Sequence, residues 1–185
     1  MISSKKEWQP PTVVVAGAGI GEKPGEISSQ FNYFLSQAEL IVCPERLIPY
    51  LNPITDAEKI AIKSPISNVI DRVKKESETR KVMVIASGDP LFYGIGRQLA
   101  ETLGKNQILI LPNLTSVQYL FARLALPWDD VLCFSLHSKE RRDFFYWLRQ
   151  GRKIAILTNS LFSPSFIAEL LERYRMGNMV DMAVG

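Results

Sequence analysis

Short apolar runs alternate along this chain with stretches in which apolar residues return every third or fourth position. That is the pattern of buried strands separated by amphipathic helices. Thr12-Val-Val-Val-Ala16 is β-branched, short and closed by Gly17, and reads as a buried first strand. Ile27, Phe31, Phe34, Leu35 and Ala38 then share one helical face. Leu40-Ile-Val-Cys43 is a second strand stopped by Pro44, and the three prolines between Pro44 and Pro53 leave room only for a short helix. Lys59-Ile-Ala-Ile62 is a weaker third strand. Ser64-Pro65 supplies a cap and first-turn proline for a helix carrying Ile66, Val69, Ile70 and Val73. Lys81–Ala86 is a fourth strand, Ile95–Leu103 a helix that Gly104 terminates, and Gln107–Leu111 a fifth strand.

The alternation continues beyond Pro112. Val117, Leu120, Phe121 and Leu124 stripe a helix ending before Pro127, and Asp130–Leu136 reads as a strand. Phe144, Trp147 and Leu148 mark a helix stopped by Gly151, and Lys153–Thr158 is the next strand. Ser163-Pro164 opens a helix with Phe166, Ile167, Leu170, Leu171 and Tyr174, and Met179–Val184 is expected to begin a final strand. Strands and helices in turn predict an α/β fold. The expected organisation is a flexible tail at 1–11, a first α/β lobe at 12–112 and a second at 113–185. No repeat of fixed period and no low-complexity segment interrupts it.

Composition narrows the function classes. A 46% hydrophobic content supports a real core, and no apolar run approaches the roughly 20 residues of a membrane span. A formal charge of +3 is too slight to imply nucleic-acid binding, although it suits a polyanionic small substrate. Cys43 and Cys133 stand far apart and outside any Cys-x-x-Cys, and the opening residues lack an apolar signal region. The expectation is therefore a cytoplasmic protein with reduced thiols. One histidine and two cysteines argue against a structural zinc site.

The stretch that carries chemistry is Ala86-Ser-Gly-Asp-Pro-Leu-Phe-Tyr-Gly-Ile-Gly-Arg97, a strand-to-helix turn with three glycines and a proline. Such a turn lets backbone approach a ligand at the carboxyl end of a parallel sheet. Asp89 either caps the following helix or fixes a ligand hydroxyl. Gly17-Ala-Gly-Ile-Gly21 invites a dinucleotide reading with Glu45 as its ribose contact, yet Glu22 stands where the third glycine belongs. A carboxylate there opposes a pyrophosphate on the helix N-terminus. Asn113, Thr115 and Ser116 are ordinary helix N-caps that also sit just after a strand. His137, the lone histidine, is read as structural rather than as a general base. Arg97, Arg123, Arg141 and Arg142 suit substrate carboxylates, but most surface arginines bind nothing of the kind. Phe144-Phe-Tyr-Trp147 is read as core and dimer packing.

Ser87-Gly-Asp-Pro-Leu-Phe-Tyr-Gly-Ile-Gly96 resembles the signature loop of the tetrapyrrole methylases, which use S-adenosylmethionine. It is most similar to the precorrin-6Y/precorrin-7 C5-methyltransferase branch of cobalamin synthesis, as are Leu126-Pro-Trp128 and Ser135-Leu-His137. In the first loop Ile20 replaces the family's proline, and Glu22-Lys-Pro-Gly25 is a rearranged continuation. The resemblance extends from about Thr12 to Gly185. It implies two α/β lobes with S-adenosylmethionine between them, bound by Gly88, Asp89, Phe92, Thr115 and Ser116 and by mainly backbone groups at Leu157 and Ala183. It implies methyl transfer to C5 of precorrin-7 or its cobalt form, by alignment and with no essential acid–base pair. A homodimer is expected, and a separate decarboxylating C15-methyltransferase is a candidate partner whose association the sequence leaves open. Branch members continue past this point, so the second lobe is expected to be shortened, with an unpaired strand edge that a second copy covers. The alternatives are another tetrapyrrole methylase, such as one acting on uroporphyrinogen III, and a non-catalytic nucleotide-binding module.

Overall fold

The computed structural model describes residues 7–19, 28–136 and 142–185. The chain divides into two compact units, Met1–Ser116 and Val117–Gly185.

The first unit is built on five parallel strands: β1 (Val13–Gly17), β2 (Leu40–Cys43), β3 (Glu58–Ala61), β4 (Val82–Ala86) and β5 (Ile108–Leu111). Their order across the sheet is β3-β2-β4-β1-β5. Every side chain of β1, β2 and β4 is buried, which is why these runs read as continuously apolar rather than alternating. Four helices connect them: α1 (Ser29–Leu35), the short α2 (Ile48–Leu51) after a 3₁₀ turn at Glu45–Leu47, α3 (Ile66–Ser77) and α4 (Ile95–Leu103). The pleat sends alternate strand residues to opposite faces. Val14, Ala16, Ile41, Met83 and Ile85 meet Phe31, Leu35, Leu47 and Leu51 of α1, the 3₁₀ turn and α2. Val13, Val15, Leu40, Val42, Val82 and Val84 meet Ile70, Val73, Leu99 and Leu103 of α3 and α4.

Capping follows local chemistry. The Ser28 hydroxyl accepts from the Phe31 N–H and starts α1. Helix α4 ends at Gly104, whose N–H donates to the Ala100 carbonyl oxygen. The expected Ser64 cap is corrected: α3 begins at Ile66, with Pro65 extended at the capping position and no side-chain cap. Trp8 falls in the stretch read as a tail, yet it is 3% exposed. Its indole N–H donates to the Thr12 carbonyl oxygen at 2.7 Å and its ring meets Phe34 edge-on, so an aromatic payload holds this stretch to the sheet.

Cys43 is buried at the end of β2, and burial pushes its thiol from an ordinary 9.0 up to about 11, with Lys59 opposing. The folded state keeps the proton that the unfolded chain releases. Stability is therefore fully present below about pH 9 and declines by about 2 to 3 kcal/mol as pH rises to about 11. Urea unfolding at pH 8 and pH 10.5 checks this, with Cys43→Ala expected to flatten the difference.

The second unit opens within α5 (Ser116–Leu124) at Val117, followed by β6 (Leu132–Ser135), α6 (Phe144–Arg149), β7 (Ile154–Leu157) and α7 (Pro164–Arg173). β6 and β7 pair in parallel, Leu132 opposite Ile154 and Ser135 opposite Leu157. Phe134, Leu136, Phe144, Phe145, Ile167, Leu170, Leu171 and Met176 form its core. Of the expected aromatic cluster, only the two phenylalanines are buried; Tyr146 and Trp147 are exposed. α7 starts as its sequence predicts, the Ser163 hydroxyl accepting from the Phe166 N–H. The expected strand over Met179–Val184 does not form. A 3₁₀ turn covers Gly177–Met179, and 180–185 joins neither strand's ladder. Without a ladder partner, apolar content alone makes no strand.

Candidate functional site

Strands β1 and β4 are neighbours, but the chain leaves them for opposite faces of the sheet, towards α1 and towards α4. That divergence opens a crevice at the carboxyl ends of the strands, the topological switch point where open α/β sheets place their ligands. Three loops meet there: 17–19 after β1, 87–94 after β4 and 112–115 after β5.

The first two loops touch backbone to backbone. The Ala18 N–H donates to the Ala86 carbonyl oxygen at 2.8 Å, and the Gly88 N–H to that of Gly19 at 2.9 Å. A Cβ on Gly17 would lie 2.3 Å from the Gly88 oxygen and 2.7 Å from the Asn113 Cβ, so no side chain fits. Gly88 has φ +62, a left-handed conformation that suits glycine, and a Cβ there would face Leu114 and Thr115 backbone. Tyr93 takes φ +54, a costly conformation for a bulky residue, in the same loop. Gly94 and Gly96 complete the turn because Cβ atoms there would meet the Pro90 carbonyl oxygen at 2.5 and 2.7 Å.

Asp89 does not cap the following helix. α4 starts at Ile95, with Gly94 at the capping position and no side-chain cap. One Asp89 oxygen accepts from the Leu91 N–H at 2.8 Å, an Asx turn within the loop, and the other from the Asn113 N–H at 3.3 Å. The carboxylate thus ties the loop after β4 to the loop after β5. Asn113 is no helix cap either: its side-chain amide donates to the Gly17 carbonyl oxygen at 3.0 Å, and its oxygen accepts from the Leu114 N–H at 2.8 Å.

The fold therefore gathers Gly88, Asp89, Phe92 and Thr115 of the predicted residues at the carboxyl end of the sheet. Thr115 is buried, Phe92 half-buried and stacked edge-on with Tyr93, and Ser116 exposed at the first position of α5. Asn113–Ser116, read from sequence as opening the second lobe, belong to the first unit. Leu157 ends β7 in the second unit, its carbonyl oxygen accepting from the Leu136 N–H at 2.9 Å, and Ala183 lies exposed in the irregular 180–185 stretch. His137, Lys139 and Arg141 fall outside the described residues, as do Glu22 and its neighbours.

Two contributors escaped the sequence. Arg46, after β2, donates to the Ser87 hydroxyl at 2.8 Å and brings a guanidinium to the central loop. Asn113 was visible only as a cap, since no local pattern shows that it meets a glycine 96 residues away. Arg97 instead faces outward in an ion pair with Glu101 at 2.9 Å, and the Arg123 guanidinium lies over the Tyr119 ring. A cavity of about 210 Å³ beside β2, β3 and α3 is lined by none of the predicted residues; the switch-point geometry, not that hollow, marks the candidate site. Among the described residues no group of His, Cys, Asp and Glu is placed to hold a metal ion.

Residues 12–185 match the family model of the tetrapyrrole (corrin/porphyrin) methylases. The chain belongs to this family. Among curated relatives, a cobalt-precorrin-7 C(5)-methyltransferase of Salmonella typhimurium is 34% identical over 122 residues, covering 65% of this chain and 59% of the relative. A precorrin-6Y C(5,15)-methyltransferase [decarboxylating] of Mycobacterium tuberculosis is 25% identical over 166 residues, covering 90% of this chain and 41% of that protein. Among solved structures, precorrin-6Y methylase from Archaeoglobus fulgidus aligns at a TM-score of 0.66 and 25% identity, over 82% of this chain and 76% of that one. The chain thus spans about three fifths of the length of the first of these relatives. The Ser87–Gly96 loop of this chain is a β4–α4 connection tied to the loops after β1 and β5. No helix among the described residues is long and apolar enough to cross a membrane.

Proposed function

We propose that this chain is an S-adenosylmethionine-dependent C-methyltransferase acting on C5 of a corrin precursor, precorrin-7 or its cobalt form, in cobalamin synthesis. The observation that carries the reading is the three-loop junction at the β1/β4 switch point, cross-tied by Asp89. Family membership and the names of the relatives support the reaction class and the substrate.

The residues present suit a polar, adenosyl-type ligand. Gly88 brings bare backbone into the junction, Ser116 presents an exposed hydroxyl, and Phe92 offers a partly exposed ring. When bound, the donor supplies an electrophilic methyl group on a sulfonium that already carries its leaving group. The protein's part is then to hold both reactants in line and keep water out, with Asp89 fixing the loop that does the holding. Arg46, anchored on Ser87, fits a carboxylate of the polyanionic substrate. The roles of Leu157 and Ala183 rest on the resemblance alone. A homodimer, a cytoplasmic location and a separate decarboxylating C15-methyltransferase partner belong to the same proposal. Neither cysteine forms a disulfide, which suits a reducing compartment, and the Mycobacterium relative, of which this chain covers 41%, is named for both C5 and C15 methylation.

Calorimetric titration tests the donor. S-adenosylmethionine and its demethylated product are expected to bind and a nicotinamide dinucleotide to give no heat; the reverse result refutes the reading. Asp89→Ala should weaken donor binding about ten- to a hundredfold, the loss of a hydrogen bond to a charged group. Product analysis with cobalt-precorrin-7 and with uroporphyrinogen III separates this methylase from its relatives.

A further inference from the structure

Asn113 occupies the centre of the loop junction and bonds to all three of its loops. Its side-chain N–H reaches the Gly17 carbonyl oxygen after β1, its backbone N–H the Asp89 carboxylate after β4, and its side-chain oxygen takes the Leu114 N–H on its own loop. Gly17 and Gly19 crowd against it: a Cβ on either would lie 2.7 Å from the Asn113 Cβ or 3.3 Å from its side-chain oxygen. An amide is the one side chain of this size that offers a donor to one loop and an acceptor to another. We infer that Asn113 is a positioning residue, which locks the loops after β1 and β4 at one spacing and so sets affinity for the methyl donor.

The inference rests on the donor reading above and makes a separate demand. Leucine at 113 would lose both side-chain bonds, and serine is too short to bridge them. Aspartate is isosteric: it still accepts from Leu114, but its second oxygen then opposes the Gly17 carbonyl. Among the described residues, the β1 loop presents only Gly17, Ala18 and Gly19 to this position, and the β4 loop presents the charged Asp89. A neighbouring carboxylate raises the carboxyl pKa of the Asn113→Asp variant, and its protonated form donates to Gly17 once more.

The test is titration of wild type, Asn113→Ala and Asn113→Asp with S-adenosylhomocysteine, at pH 5.5 and 8, with circular dichroism to show that each is folded. Wild type should bind, Asn113→Ala about ten- to a hundredfold more weakly at both pH values. Asn113→Asp should be as weak at pH 8 and recover at least threefold at pH 5.5 relative to wild type. A purely structural asparagine lowers melting temperature without that pH-dependent affinity. Wild-type affinity in both variants overturns the positioning role and leaves the donor reading standing. Failure of wild type to bind refutes the donor reading, and the positioning role with it. Should Asn113→Ala fail to fold, the isosteric Asn113→Asp decides alone.

Discussion

Gly17→Ala is expected to reduce donor affinity by about a hundredfold or more while leaving the sheet assembled. Gly17 ends β1 opposite Ala86, with its Cα facing the Gly88 carbonyl. An added methyl group would sit 2.3 Å from that backbone oxygen and 2.7 Å from the Asn113 Cβ, and neither is the yielding end of a long side chain. The loops after β1 and β4 must therefore separate, stretching the Gly88-to-Gly19 and Asn113-to-Gly17 hydrogen bonds together. Overpacking of this kind costs about 1–3 kcal/mol in stability. The larger effect is on alignment, where a misplacement of about 1 Å is worth on the order of a hundredfold. Titration with S-adenosylhomocysteine, beside a thermal melt, separates the two. Wild-type affinity in Gly17→Ala would mean that the spacing of these loops is irrelevant to the ligand.

The second large effect is in the other unit. Phe144 is 0% exposed and packs between Phe134 and Phe145, with ring centroids at 6.2 and 4.4 Å. Its ring is one of the largest fully buried side chains, in a core built on only two strands and short helices. Truncation to alanine removes that burial and leaves a cavity, for about 3–5 kcal/mol, against total domain stabilities of about 5–15 kcal/mol. Hydrogen exchange read by mass spectrometry is expected to show lost protection over β6, β7 and α7, with β1 and β4 protected as in wild type. Loss spread equally over both units would show that the two unfold as a single block and that the core of the second does not stand alone.

What was legible from sequence is what short-range physics decides. Val82–Ala86 and Leu40–Cys43 had to be buried strands because no polar residue interrupts them. α4 had to stop at Gly104, and α7 had to begin after Ser163, because both signals act within one helical turn. Where a local signal had a tertiary competitor, it misled. Apolar content over Met179–Val184 suggested a strand, but a strand exists only by pairing with another. Trp8 looked like part of a tail because the ring it packs on belongs to a helix 26 positions on, Phe34.

By itself, then, the sequence determined the α/β alternation, most element boundaries and the Ser87–Gly96 loop whose wording carries the family resemblance. The tertiary structure alone decided the strand order β3-β2-β4-β1-β5, and with it which loops become neighbours. It turned Asp89 from a helix cap into a tie between loops, and Asn113 from a cap into the junction's centre. The reason is range. Capping and periodicity are settled within a few residues along the chain, whereas a switch point exists only once strands distant in sequence lie side by side.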